Sequence, residues 1–274
     1  MKKIWTLTAA LLLFCAGTQA QDFSLYERGE RVKGEHTLPY RILYPENQQA
    51  GKKYPLFLFL HGMGKRGTDN SSQLERGADL FLKPGNRQQY PCIVLYPQAP
   101  KTSAFVLLRY GNRRTDGGFS EWSKNLDAEK FADATTETTP YGEMVLDLVR
   151  ELIDRGIVDT DRIYIAGASM GAYSTYHFIA SYPEMFAAAA PMGGGTDLRL
   201  IPRWAGKVPV WIVHGDADDI VLPENDRRVA RELDRLGVAY RWSEYPGVRH
   251  NCWDRAFSEA DFLPWFFSHS RKID

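Results

Sequence analysis

The sequence predicts an α/β fold with a mostly parallel central sheet and helices on both faces. Three observations predict it: short unbroken apolar runs recur along the chain, amphipathic helical stretches fill the gaps between them, and the alternation persists over most of the length. With 274 residues, 44% of them hydrophobic, and 34 basic against 34 acidic side chains, the chain can bury a sizeable core. Its charge balance offers nothing to nucleic acid or to an anionic membrane surface.

The chain opens with Met1-Lys2-Lys3, the apolar run Ile4 to Ala16 and then Gly17-Thr18-Gln19-Ala20. Residues 1–20 read as a secretory signal peptide cut before Gln21, and the run is too short to span a bilayer comfortably. A lipid anchor at Cys15 is the alternative, but Phe14 stands where such a processing site resembles a small residue. The mature chain, 21–274, is then nearly neutral, reads as a single domain without an integral membrane segment, and is expected to be secreted or periplasmic. Export raises the question of a Cys92–Cys252 disulfide. The expected positions of the two, at the start of one strand and beyond the last, put them roughly 15 Å apart, too far for a bridge.

Strand-like stretches are expected at Phe23 to Glu27 and Thr37 to Tyr44. Leu56 to Leu60 is wholly apolar and ends in His61-Gly62-Met63-Gly64, as a strand buried on both faces would. Cys92 to Tyr96, Arg162 to Ala166, Ala187 to Pro191, Val208 to Val213 and Tyr240 to Tyr245 repeat the pattern. Helices are expected at Tyr141 to Arg155, Ala172 to Ala180, Arg228 to Leu236 and Ala256 to Phe267. Residues 98–140 break the rhythm, a long excursion of the kind that forms lids or binding loops.

Gly167-Ala168-Ser169-Met170-Gly171 lies between an expected strand and an expected helix. There a serine is forced onto a tight, strained turn with its hydroxyl exposed at the carboxyl edge of the sheet. A serine needs a base, and the base needs an orienting carboxylate. Among six histidines, His250 suits the base, because it follows the last expected strand. The carboxylate must come from Asp216, Asp218 or Asp219, which share a loop after Val208 to Val213. His214 beside these acids lacks a third clustered ligand, so no metal is expected, nor any other cofactor. The Gly-rich turn after Leu60 places the N–H of Met63, with the N–H of Met170, as donors for an oxyanion.

Leu60 to Asn70, Tyr96-Pro97-Gln98, Asp161 to Tyr164, Gly167 to Gly171 and His250-Asn251-Cys252-Trp253 together resemble the secreted bacterial α/β-hydrolases. The group includes predicted peptidases, phospholipase/carboxylesterase-like proteins and feruloyl or acetylxylan esterase-like enzymes. The resemblance implies the α/β-hydrolase fold with a long insertion after Pro97-Gln98. In such proteins the acid loop looks like H-G-x-x-D-x-x-V, which puts Asp218 at the acid position, with Ser169 as nucleophile and His250 as base. It implies an exported serine hydrolase acting on carboxylic esters, with carbohydrate-linked acetyl or feruloyl groups expected; the alternatives are a serine peptidase and a non-catalytic carbohydrate- or lipid-binding module. The expected partner is a small-molecule or polysaccharide ester. His61, Trp122 and Trp253 are expected against it, Trp122 and Trp253 joining Phe119 and Tyr110 in an aromatic platform, with Arg109, Arg113 and Arg114 available to a uronic acid.

Overall fold

The computed structural model describes residues 22–110, 113–114 and 135–271. The expected signal peptide, Cys15, Phe119 and Trp122 lie outside the described residues.

A strand made only of apolar residues must be covered on both faces, and this sets the architecture. In β3 (Tyr54–Leu60) every residue is buried. Leu56, Leu58 and Leu60 enter one core, Phe57 and Phe59 the other. Its neighbours β4 (Ile93–Pro97), β8 (Val158–Ala168), β9 (Ala188–Met192) and β10 (Trp211–Gly215) continue the same two-sided burial. With β1 (Glu27–Lys33), β2 (His36–Leu43) and β11 (Arg241–Tyr245) they form an eight-stranded sheet in the order β1-β2-β4-β3-β8-β9-β10-β11. Pairing is parallel from β4 to β11 and antiparallel at β1 and β2.

The helices divide between the faces. α1 (Pro84–Gln89) is short. α2 (Pro140–Asp154) and α3 (Met170–Ser181) cover the first core, the latter through Tyr176, Phe178 and Ile179. α4 (Ile201–Trp204) and α5 (Glu224–Arg235) join them through Trp204, Val229 and Leu233. On the other face α6 (Cys252–Ala256) and α7 (Phe262–Phe267) close the second core with Phe262 and Phe266. The described part of the excursion forms a small antiparallel sheet of β5 (Val106–Tyr110), β6 (Arg113–Arg114) and β7 (Thr135–Thr138). It is fastened to α3 by His177, whose Nδ1 and Nε2 lie 2.6 and 2.7 Å from the hydroxyls of Thr136 and Thr138.

Two expectations need correction. The strand expected over Phe23 to Glu27 is absent from Phe23 to Tyr26; the first strand begins at Glu27 and runs to Lys33. Its sequence is polar on both faces, so alternation could not reveal it, while Tyr26 before it leaves the sheet to anchor the turn, its hydroxyl donating to Ala78 O. The single helix expected over Ala256 to Phe267 is two, broken over residues 257–261. There Glu259 and Asp261 both pair with Arg241 of β11, which pins the turn against the sheet edge. Cys92 and Cys252 are free and buried.

Candidate active site

β8 delivers Ser169 to the carboxyl edge of the sheet, and the chain must reverse there into α3 within one residue. Ser169 accordingly takes φ 55° and ψ −116°, a left-handed-side conformation that L residues adopt at a cost of order 1–3 kcal/mol. Two glycines permit it. A Cβ on Gly167 would lie 2.2 Å from Gly171 O, and one on Gly171 would lie 1.8 Å from Leu60 O. Strand, turn and helix therefore interlock by backbone contact, and the turn is buttressed by Ser169 N donating to Met192 O at 2.9 Å.

The three residues that sequence reasoning selected converge here. Nε2 of His250 lies 2.8 Å from Oγ of Ser169, and Nδ1 of His250 lies 2.6 Å from Oδ2 of Asp218. Asp218 is buried, and its other oxygen accepts from the N–H groups of Ile220 and Val221 at 2.9 and 3.0 Å. Burial alone would raise its proton affinity, but the histidines His214 and His250 outweigh it and hold the carboxyl well below the usual range. The other two carboxylates of the loop have different partners. Asp216 accepts from Gly247 N at 2.6 Å, and Asp219 pairs with Arg249 at the exposed rim.

Met63 opens a 3₁₀ turn, Met63–Lys65, and Met170 is the first residue of α3. Amides at such positions have no partner within their own helix. The loop carrying Met63 runs close to the serine: a Cβ on Gly62 would stand 3.4 Å from Ser169 Cβ. It is held by residues of the segment after β4. Buried Gln98 accepts from Asn70 N at 2.8 Å and donates to Lys65 O at 3.1 Å and to Asp69 at 3.2 Å. Gly67 N donates to Ala99 O at 2.9 Å.

His61 is not a substrate contact. It is fully buried, Nε2 accepting from Ala99 N at 3.0 Å and Nδ1 lying 2.7 Å from Gly62 O. Burial lowers its pKa to about 4, so the ring is a neutral strut between the two loops. Trp253 is buried and stands near-perpendicular to His250, ring centroids 5.3 Å apart, beside the base and not spread on the surface as a platform. Sequence reasoning missed His214 and Asp226. In sequence His214 stands out only as a candidate metal ligand, and Asp226, inside α5, gives no signal. Both are fully buried, with Nδ1 of His214 lying 2.7 Å from Asp226 Oδ2.

The sheet order, the strained serine turn and the two loops above it define the α/β-hydrolase fold. The model of the prolyl oligopeptidase family matches residues 128–205. Among solved structures, a thermostable esterase is similar at 31% identity and a TM-score of 0.77, over 90% of this chain and 64% of that one. An uncharacterised secreted protein of Arthroderma benhamiae is 30% identical over 142 residues, 41% of this chain and 15% of its own. A bifunctional acetylxylan esterase/xylanase of Neocallimastix patriciarum is 30% identical over 86 residues, 31% of this chain and 12% of its own. Both curated relatives are therefore several times longer than the span this chain matches.

Proposed function

We propose that this chain is a serine hydrolase that cleaves carboxylic esters through an acyl-enzyme intermediate. The reading rests on one observation, the unbroken relay from Ser169 Oγ through His250 to Asp218 at 2.8 and 2.6 Å. His250 takes the serine proton as Oγ bonds to the ester carbonyl carbon, and Asp218 holds the imidazolium that results. The N–H groups of Met63 and Met170 receive the oxyanion. The tetrahedral species collapses, His250 passes its proton to the departing alkoxide, and the acyl group stays on Ser169. Water then repeats the sequence with His250 again as base, releasing the acid.

The substrate reading is a carbohydrate-linked acetyl or feruloyl ester met outside the cell. It is supported by the likeness to an esterase and to an acetylxylan esterase/xylanase, and export is supported by the likeness to a secreted protein. A serine peptidase is the second reading, favoured by the match to the prolyl oligopeptidase family model. The test is a panel of acetylated xylan, feruloylated oligosaccharides, p-nitrophenyl acyl esters and aminoacyl arylamides, with wild type and Ser169→Ala. Cleavage of esters that vanishes in the variant is expected. Ser169-dependent cleavage of arylamides alone selects the peptidase, and turnover that survives in Ser169→Ala ends the triad reading.

A further inference from the structure

Behind Asp218 lies a second histidine that the proposed reaction does not use. His214 is the penultimate residue of β10, with its ring wholly buried. Nδ1 faces the carboxylate of Asp226 at 2.7 Å, and Nε2 faces the carbonyl of Val221 at 2.9 Å. A carbonyl can only accept, so Nε2 carries a proton. Asp226 is itself surrounded by donors: Tyr176 Oη donates to it at 2.7 Å and Gly194 N at 3.1 Å. Acceptors thus stand at both ring nitrogens, the geometry of a doubly protonated imidazole. Nε2 also stands 3.4 Å from Asp218 Oδ2, the oxygen that meets His250.

We propose that His214 is a positioning residue for the Ser169–His250–Asp218 relay: as a buried imidazolium between Asp226 and Asp218, it fixes the Asp218 carboxylate and offsets part of the charge that His250 meets. The inference rests on the triad reading above and extends it inward by one ion pair.

The surroundings support it. Burial alone would make His214 less basic, but the carboxylates of Asp218 and Asp226 reverse this and raise its pKa to about 10. Other titratable groups against the cluster come from α3, from α6 and from the surface loop. Burial pushes the phenols of Tyr173 and Tyr176 and the thiol of Cys252 well up, so they stay neutral. Arg249 and Asp219 answer each other at the exposed rim. Among the described residues, the charges buried here are those of His214, Asp218 and Asp226. Removing the cation leaves the full negative field of Asp218 on His250, so the base holds its proton to higher pH.

The experiment is the pH dependence of kcat/KM on p-nitrophenyl acetate for wild type, His214→Gln and the double variant His214→Gln with Asp226→Asn. The double variant removes cation and counter-charge together, so no unpaired buried carboxylate is left to unfold the protein. The expected result is a lower kcat at unchanged KM, with the acidic limb moved up by roughly half a unit or more. A variant that is folded and active with its acidic limb unmoved overturns the proposal, since a purely structural histidine would lower activity without moving the limb. Nitrogen-15 NMR of the histidines in the wild-type protein gives a second reading: both His214 nitrogens protonated at pH 8 is expected, and a neutral ring overturns the proposal whether or not a variant folds. Failure of the triad reading is separate: it shows as wild-type turnover that Ser169→Ala retains.

Discussion

The 2.6 Å contact between His250 Nδ1 and Asp218 Oδ2 fixes the imidazole so that its other nitrogen faces the serine. An amide at position 218 could donate to Nδ1 and so hold the ring in the wrong tautomer. Asp218→Asn is therefore expected to lower kcat by about 10⁴-fold, while Asp219→Asn, which loses only an exposed pair with Arg249, stays near wild type. Asp216→Asn should lose modestly, through its bond to Gly247 N. Steady-state kinetics of the three variants on one ester checks the ranking, and equal losses would remove Asp218 from its role.

The serine turn depends on backbone approaching backbone. Gly171→Ala would place a methyl 1.8 Å from Leu60 O, and Gly167→Ala one 2.2 Å from Gly171 O; neither carbonyl can move without breaking the sheet or the helix. Each substitution is expected to cost upwards of about 4 kcal/mol. Gly64→Ala, where a Cβ has open space around it, should melt like wild type. Thermal unfolding by circular dichroism separates the two cases.

Gln98 ties the Met63 loop to the sheet, and its removal strips partners from Asn70 N and Lys65 O. Gln98→Ala is expected to destabilise by about 1–3 kcal/mol. It should also lower kcat more than it changes KM, because a loosened loop misplaces a donor that matters most when charge develops on the substrate oxygen. Kinetics together with a urea melt would show both effects; a melt shift with unchanged kcat would confine Gln98 to stability.

Much of this was legible in the sequence for identifiable reasons. β3, β4, β8 and β9 announce themselves because burial on both faces demands continuous apolar runs, and the serine turn does so because strand, glycines and helix coincide. β1 stayed hidden because an edge strand solvated on both faces need not alternate. His61 differs from expectation because a histidine beside a glycine-rich loop looks the same in sequence whether it points out or in. The pairing of His214 with Asp226 joins the end of a strand to the interior of a helix, and no local pattern encodes such a contact.

Buried histidines also set how stability varies with pH. Burial holds His61 and His177 at about 4 against an ordinary 6.5. Between those values the unfolded chain binds protons that the folded chain refuses, so this stability is full above pH 6.5 and is lost as pH falls toward 4. Its loss by pH 5 should be on the order of 1–2 kcal/mol for each ring. His214 works in the opposite sense: raised to about 10, it contributes stability that is full below pH 6.5 and lost as pH rises through 10. Asp69 and Asp218, both held low, add losses only in stronger acid. The melting temperature is therefore expected to peak near neutrality and to fall on both sides. His177→Gln should keep a hydrogen bond to the Thr136 and Thr138 clamp while removing one titration, so its decline between pH 7 and pH 5 should be shallower than that of wild type. Differential scanning calorimetry across pH 4.5 to 9.5 checks the curve, and an acid limb of equal steepness in the variant would exclude His177 as one of its sources.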